Sequence, residues 1–247
     1  MEYTIRGDVM PVLQIRLRKG EAIYTESGGM AWMTEGIAMK TSGRGGLGKM
    51  IGRALSGESL FLTTYTAEAD NVAIAFTPEA MGKIIPLNLA AGNTMILQKD
   101  AFMCAEDSVE MAMHFRKKLG AGLFGGEGFI LQKVTGPGVV FAEIIGEVVE
   151  YDLKPGQRLK VDPGHLAMYE PSVNYDIQMV KGVKNILFGG EGLFLATLTG
   201  PGKVWLQTMP ISNLASRIAQ AIPGKGGGSK SAGGLLGDIA GGFLDNI

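Results

Sequence analysis

Residues 123–138 read LFGGEGFILQKVTGPG, and residues 187–202, sixty-four positions on, read LFGGEGLFLATLTGPG. Eleven of the sixteen positions are identical. An internal repeat restricts a fold more than any local propensity does, because each copy must build the same unit and bury its apolar face against its neighbours. The repeat extends outward. Gly92 in AAGNTMILQKDAFMCAE and Gly156 in KPGQRLKVDPGHLAMYE occupy matching places, and Gly20 in RKGEAIYTESGGMAWMTE opens a further copy. The tenth residue after each glycine is large and apolar (Met30, Phe102, Leu166), and Ala31, Met103 and Ala167 follow. A second motif matches as Gly57-Glu58, Gly126-Glu127 and Gly190-Glu191. The chain therefore reads as three copies, at about 12–86, 87–150 and 151–214.

Within each copy the texture is β. LFLTTYT, GFILQKV and LFLATLT are short runs rich in Leu, Phe, Val and Thr, and VAIAF, VVFAEII and KVWLQTM follow them; Gly, Pro, Asn and Asp bound these runs. Gly-Pro-Gly at 136–138 and 200–202 reads as a hairpin turn between two strands of one copy, replaced in the first copy by the longer AEADNVA. The 38 glycines suit many short strands joined by turns. With 247 residues and 46% hydrophobic content, three such copies can share a substantial core and form a single domain over residues 1–222. Each copy alone lacks one.

The threefold duplication, the GESLF or GEGxxL motif and the TGPG turn together resemble the family named for altered inheritance of mitochondria, protein twenty-four, over residues from Tyr3 to Leu214. The resemblance implies an all-β fold: a β-sandwich of the double-stranded β-helix type, similar to the tryptophan RNA-binding attenuation protein, with three repeats about a pseudo-threefold axis. It implies no enzymatic activity and no cofactor. The function expected is that of a scaffold or interaction protein, and the alternative, by analogy with the attenuation protein, is a regulatory binder of small ligands or RNA. The mitochondrial members of the family are linked to organisation of the inner membrane.

The residues themselves point away from catalysis. Gly57, Glu58, Gly126, Glu127, Gly190 and Glu191 read as structural: the glycines let the backbone bend into the strand, and the carboxylates accept neighbouring backbone N–H groups. Symmetry-related glutamates would have similar environments, whereas acid and base work needs environments that split two pKa values. GRGGLGKM at 43–50 matches a phosphate-binding loop only as far as Gly-Lys; Met50 stands where the magnesium-holding hydroxyl belongs. His114 and His165 are fifty-one residues apart in different copies, and no metal site is expected from them. Cys104, the single cysteine, lies in the apolar FMCA run and reads as a buried thiol. Met30, Met33, Met39, Met111, Met113, Met168 and Met179 read as core filler.

A net charge of −1 gives no global attraction to nucleic acid, and the two tryptophans, Trp32 and Trp205, offer no base-stacking strand motif. The N-terminal twenty residues carry charges throughout and no continuous apolar run, so neither a secretion signal nor a transmembrane segment is expected, and the cysteine usage fits the cytoplasm. One local exception to the neutral balance exists. The segments before each Gly-Glu motif are basic: Arg44, Lys49 and Arg53 in the first copy, Arg116, Lys117 and Lys118 in the second, Lys181 and Lys184 in the third. They form a candidate face for an anionic partner, an acidic protein or a lipid surface in preference to nucleic acid. A protein partner and a homo-oligomer both fit this reading. After the copies, ISNLASRIAQAI (211–222) places Ile211, Leu214, Ala215, Ile218 and Ile222 at helical spacing, a short helix expected to pack on the β body, and 223–247 form a glycine-rich linker and tail.

Overall fold

The computed structural model describes residues 1–26, 29–43, 61–117, 128–179, 194–211, 213–215 and 218. The chain is mostly β, with every strand pairing antiparallel. After an opening strand β1 (Glu2–Arg6), six strands recur three times. In the first copy they are β2 (Val12–Leu17), β3 (Ala22–Glu26), β4 (Met30–Met33), β5 (Ile37–Gly43), β6 (Phe61–Ala67) and β7 (Val72–Phe76). The second copy holds β8 (Gly82–Leu89), β9 (Thr94–Gln98), β10 (Phe102–Glu106), β11 (Glu110–Lys117), β12 (Phe129–Thr135) and β13 (Gly138–Ile145). The third holds β14 (Val148–Leu153), β15 (Arg158–Val161), β16 (Leu166–Tyr169), β17 (Asn174–Met179), β18 (Phe194–Thr199) and β19 (Gly202–Gln207). β8 pairs with β13 and β14 with β19 in the same antiparallel manner.

Four sheets result, in the orders β1-β2-β7-β4 (sheet I), β5-β6-β3-β10-β13-β8 (sheet II), β11-β12-β9-β16-β19-β14 (sheet III) and β15-β18-β17 (sheet IV). In every copy the first strand pairs with the sixth, the third with the sixth, the second with the fifth and the fourth with the fifth. Copies are joined by pairing the second strand of one to the third strand of the next, β3 with β10 and β9 with β16. The third strands β4, β10 and β16 carry the same register shift, at Met30/Trp32, Phe102/Cys104 and Leu166/Met168.

The sheets pack in succession. Leu13, Ile15, Leu17, Ile74 and Phe76 of sheet I meet Ile23, Tyr65, Met103, Cys104 and Phe141 of sheet II. The other face of sheet II, through Tyr24, Phe102, Val140 and Ala142, meets Leu97, Val134 and Met168 of sheet III. Ile96, Leu131, Leu166 and Tyr169 on the far face of sheet III meet Val161, Ile177 and Leu198 of sheet IV. Strand composition follows. On β2 only alternate residues are buried, whereas β10 and most of β13 are buried on both faces, as strands between two layers must be.

This arrangement corrects the hairpin reading of Gly-Pro-Gly. β12 belongs to sheet III and β13 to sheet II, and β18 and β19 divide in the same way between sheets IV and III. The turn therefore arches from one layer to the next; two apolar runs either side of a tight turn look the same in sequence whether they pair or stack. The glycines are sterically required. Gly138 and Gly202 have φ of 138° and 134°, and a Cβ on Gly138 would stand 2.7 Å from Ser108 Oγ and 2.8 Å from Val109 Cγ2.

A carboxylate fixes each arch. Glu106 accepts the Val139 N–H at 2.7 Å and Glu170 accepts the Lys203 N–H at 2.9 Å. At the equivalent place in the first copy the Thr34 hydroxyl accepts the Ala73 N–H at 2.9 Å. The matched glycines Gly20, Gly92 and Gly156 donate to the carbonyls of Ala67, Gly136 and Gly200, which ties the opening turn of each copy to its arch.

The helix expected at 211–222 is described at Ile211, Asn213, Leu214, Ala215 and Ile218, all helical. Its apolar stripe is not packed as expected: Ile211 and Ile218 are exposed. Met33 and Met39 are exposed as well, against their reading as core filler, while Met111 and Met168 are buried. No described helix is long and apolar enough to cross a membrane.

Loss of an arch carboxylate leaves a backbone N–H without its acceptor, so Glu106→Ala and Glu170→Ala should each lower stability by about 1–3 kcal/mol. Glu35→Ala, one residue beyond the equivalent position and exposed, should change it by less than about 0.5 kcal/mol. Urea denaturation of the full chain measures both.

Candidate functional site

The glycine and glutamate motif at Gly57, Glu58, Gly126, Glu127, Gly190 and Glu191 lies outside the described residues, as do Arg44, Lys49, Arg53, Lys118, Lys181 and Lys184 of the basic segments. Arg116 and Lys117 are described. Both sit at the end of β11, opposite Ile130 and Phe129 of β12, and the Lys117 ammonium donates to the Ile177 carbonyl at 2.8 Å. That bond tethers sheet III to sheet IV and removes one of the two cations from any open charged face.

Of the titratable groups that the sequence singled out, Cys104 is enclosed and His165 is committed. Cys104 is fully buried, and burial together with the nearby Glu143 carboxyl holds its thiol pKa well above the ordinary value. His165 donates from Nδ1 to the Gln207 carbonyl at 2.8 Å, since a carbonyl can only accept. His114 is exposed on β11, and partial burial plus the Lys133 charge lower its pKa. Among the described residues no three His, Cys, Asp or Glu side chains are grouped to hold a metal. A shallow concavity of about 170 Å³ beside Leu17, Glu21, Glu106 and Ser108 is smaller than the ~300–1,000 Å³ usual for ligand sites.

A strong perturbation belongs to a carboxyl that motif reading passed over. Glu143, on the face of β13 that carries Phe141, is 8% exposed. It accepts the Glu79 N–H at 3.0 Å, yet burial, reinforced by the Glu79 and Asp100 carboxylates, raises its pKa to about 8. With its pKa raised to about 8, the carboxyl favours its protonated form at pH 7, buried beside Glu79 and Asp100. The sole signal for it in sequence is a glutamate interrupting VVFAEII.

The other unabsorbed feature is apolar and exposed. In the third strand of copies two and three, Phe102 to Ala105 and Leu166 to Tyr169 are all buried. The matching strand β4 reads Met30, Ala31, Trp32, Met33, and there Trp32 is 51% and Met33 36% exposed. Among the described residues, β4 pairs with β7 on one edge only, and β15 pairs with β18 on one edge only. β4 and β15 are the two strands that a closed ring of three copies would join, and among the described residues they are not paired with each other. The matched positions Trp32, Cys104 and Met168 in the three copies would have flagged this: a position buried twice carries the largest side chain in the first copy.

The model of one protein family, mitochondrial biogenesis AIM24, matches residues 3–209. The chain belongs to the AIM24 family. The uncharacterized protein M6_Spy0233 of Streptococcus pyogenes serotype M6 is 29% identical over 232 residues, covering 90% of this chain and 92% of that protein. In structure the chain is similar to the protein SPYM3_0169 from Streptococcus pyogenes, with a TM-score of 0.73 at 25% identity over 90% of this chain and 99% of the other. AIM24 membership therefore spans the three strand sets together with β1, and the exposed strand β4 lies inside the matched region.

Glu143 provides a pH test of the layered core. Its folded pKa of about 8 lies above the ordinary glutamate value of 4.5, so the folded state holds a proton that the unfolded state has lost between those values. Stability contributed by the neutral carboxyl is complete below pH 4.5 and declines as pH rises towards 8, by at most about 1.4 kcal/mol per pH unit. Glu143→Gln should flatten this decline in denaturant titrations between pH 5 and 9, with little loss at pH 5.

Proposed function

We propose that the chain is a non-enzymatic scaffold, three repeats of the double-stranded β-helix type, that works by docking a protein through strand β4. Three observations support the reading. The titratable side chains most apt for chemistry, Cys104 and Glu143, are buried. The side chains repeated between copies, Glu106 and Glu170, are occupied in bracing arches. The observation that carries the reading is Trp32: an indole half in solvent, next to Met33, on a strand with one edge unpaired among the described residues. A large amphipathic ring at an open strand edge is the common chemistry of binding surfaces, where Trp is enriched and main-chain pairing supplies affinity.

The test is association, not turnover. The full chain is purified under native conditions from the cells that produce it, and its complexes are weighed by native mass spectrometry alongside a Trp32→Glu, Met33→Lys variant. Both side chains are exposed, so the variant should keep the melting temperature within about 2 °C and lose association by at least tenfold. Retention of every complex by a folded variant would refute the reading.

A further inference from the structure

We infer that the partner seated on β4 is strand β15 of a second copy of this chain, added head to tail. The inference rests on the scaffold reading and names its partner. Within the chain the same joint is made twice. β3 of the first copy pairs with β10 of the second, and β9 of the second with β16 of the third. Each joint has a donor half, the second strand of a copy, and an acceptor half, the third strand of the next. After two joints one half of each kind is left over: β15 at the end of sheet IV and β4 at the end of sheet I. The two halves are complementary by construction, and a surface of one copy that fits a different surface of the next makes a heterologous contact.

The internal joints fix the register. Ala22, Thr94 and Arg158 are equivalent, since they pair with Thr66, Thr135 and Thr199. Cys104, Ala105 and Glu106 stand opposite Thr25, Tyr24 and Ile23, and Met168 and Tyr169 opposite Leu97 and Ile96. Carried to the unmatched halves, this places Trp32 opposite Val161, Met33 opposite Lys160, Thr34 opposite Leu159 and Glu35 opposite Arg158 of the second copy. The last pair brings opposite charges together at exposed positions. It also falls where Asp107 N–H donates to the Ala22 carbonyl at 3.1 Å in the internal joint.

Packing agrees with the pairing. Met103 and Cys104, from the acceptor strand of sheet II, complete the cluster between sheets I and II. Their equivalents Ala31 and Trp32 would enter the cluster between sheets III and IV of the second copy, at the margin where Leu159 and Phe194 are only half covered. The exposure of Trp32 is then the exposure of a core residue whose sheet is unfinished.

Single cysteines test both register and molecularity, because Cys104 is fully buried and does not compete. Met33→Cys chains are mixed with mass-tagged Lys160→Cys chains and oxidised mildly. The expected product is a covalent heterodimer, lost when Trp32→Glu is added to the first chain and at least tenfold less abundant when Met39→Cys, exposed on β5, replaces Met33→Cys. A chain carrying both Met33→Cys and Lys160→Cys should give a ladder of linked copies. Sedimentation of the unmodified chain should show association that rises with concentration. The inference falls if the mixture yields no heterodimer, if Met39→Cys cross-links as well as Met33→Cys, or if the double variant links only within one chain, which would mean that β4 reaches its own β15. Trp32-dependent capture of a different protein without the heterodimer would also overturn it while leaving the scaffold reading intact.

Discussion

The pairing of one copy's second strand with the next copy's third strand is the constraint on which the molecule depends. Because β3 joins β10 and β9 joins β16, a copy does not own a sheet; its two halves lie in successive sheets. Sheets II and III therefore have layers on both sides, and their central strands must be apolar on both faces. The burial of β10 and β16 throughout, and of β13 over most of its length, is the price of that topology. It also makes the copies interdependent, since the cluster between sheets I and II includes Met103, Cys104 and Phe141 from the second copy.

A layered apolar interior leaves little room for polar groups, and those present mark where layers are held in register. Gln132, fully buried on β12 of sheet III, donates to the Glu26 carboxylate at the end of β3 in sheet II at 2.7 Å. Gln207 accepts the Ile145 N–H and donates to the Gly164 carbonyl, fastening the ends of β13 and β19 to the turn before β16. Lys117 does the same between sheets III and IV. These bonds run between sheets, where apolar contact alone would allow sliding. Gln98 Oε1, Gln132 Oε1 and the hydroxyls of Tyr169 and Tyr175 are buried without a hydrogen-bond partner among the described residues, and burial raises both phenol pKa values.

The strand texture and the burial of Cys104 were legible in sequence because each leaves a local trace: short β-rich runs, an apolar flank. Sheet membership was not. The run VTGPGVV is compatible with a hairpin and with an arch, and what decides is the partner of each strand, which lies in another copy. The same limit hid the arch carboxylates. Glu106, Glu170 and Thr34 stand fourteen residues after Gly92, Gly156 and Gly20, but a glutamate and a threonine at one place look like divergence until the shared acceptor role is seen. The exposure of Ile211 and Ile218 shows the converse: periodicity finds a helix face, and cannot say that a surface awaits it.

The two ends of the sheet series are chemically unlike, and the difference bears on which contacts the molecule permits. β15 reads Arg158, Leu159, Lys160, Val161, with both cations exposed. Basic side chains on an edge strand suppress pairing of that strand with its own copy, since like charges would meet across the ladder. β4 carries no charge, and Glu35 stands two residues beyond its end. An edge that repels itself and an edge that is apolar with an adjacent acid together disfavour symmetric pairing of β15 while leaving the mixed pair open. Internal copies need no such device, because β3 and β9, with apolar residues where β15 has Lys160, are paired on both edges. The change of composition from Tyr24 and Ile96 to Lys160 at equivalent positions is thus what separates a joint made inside one chain from an edge that must choose what it meets outside.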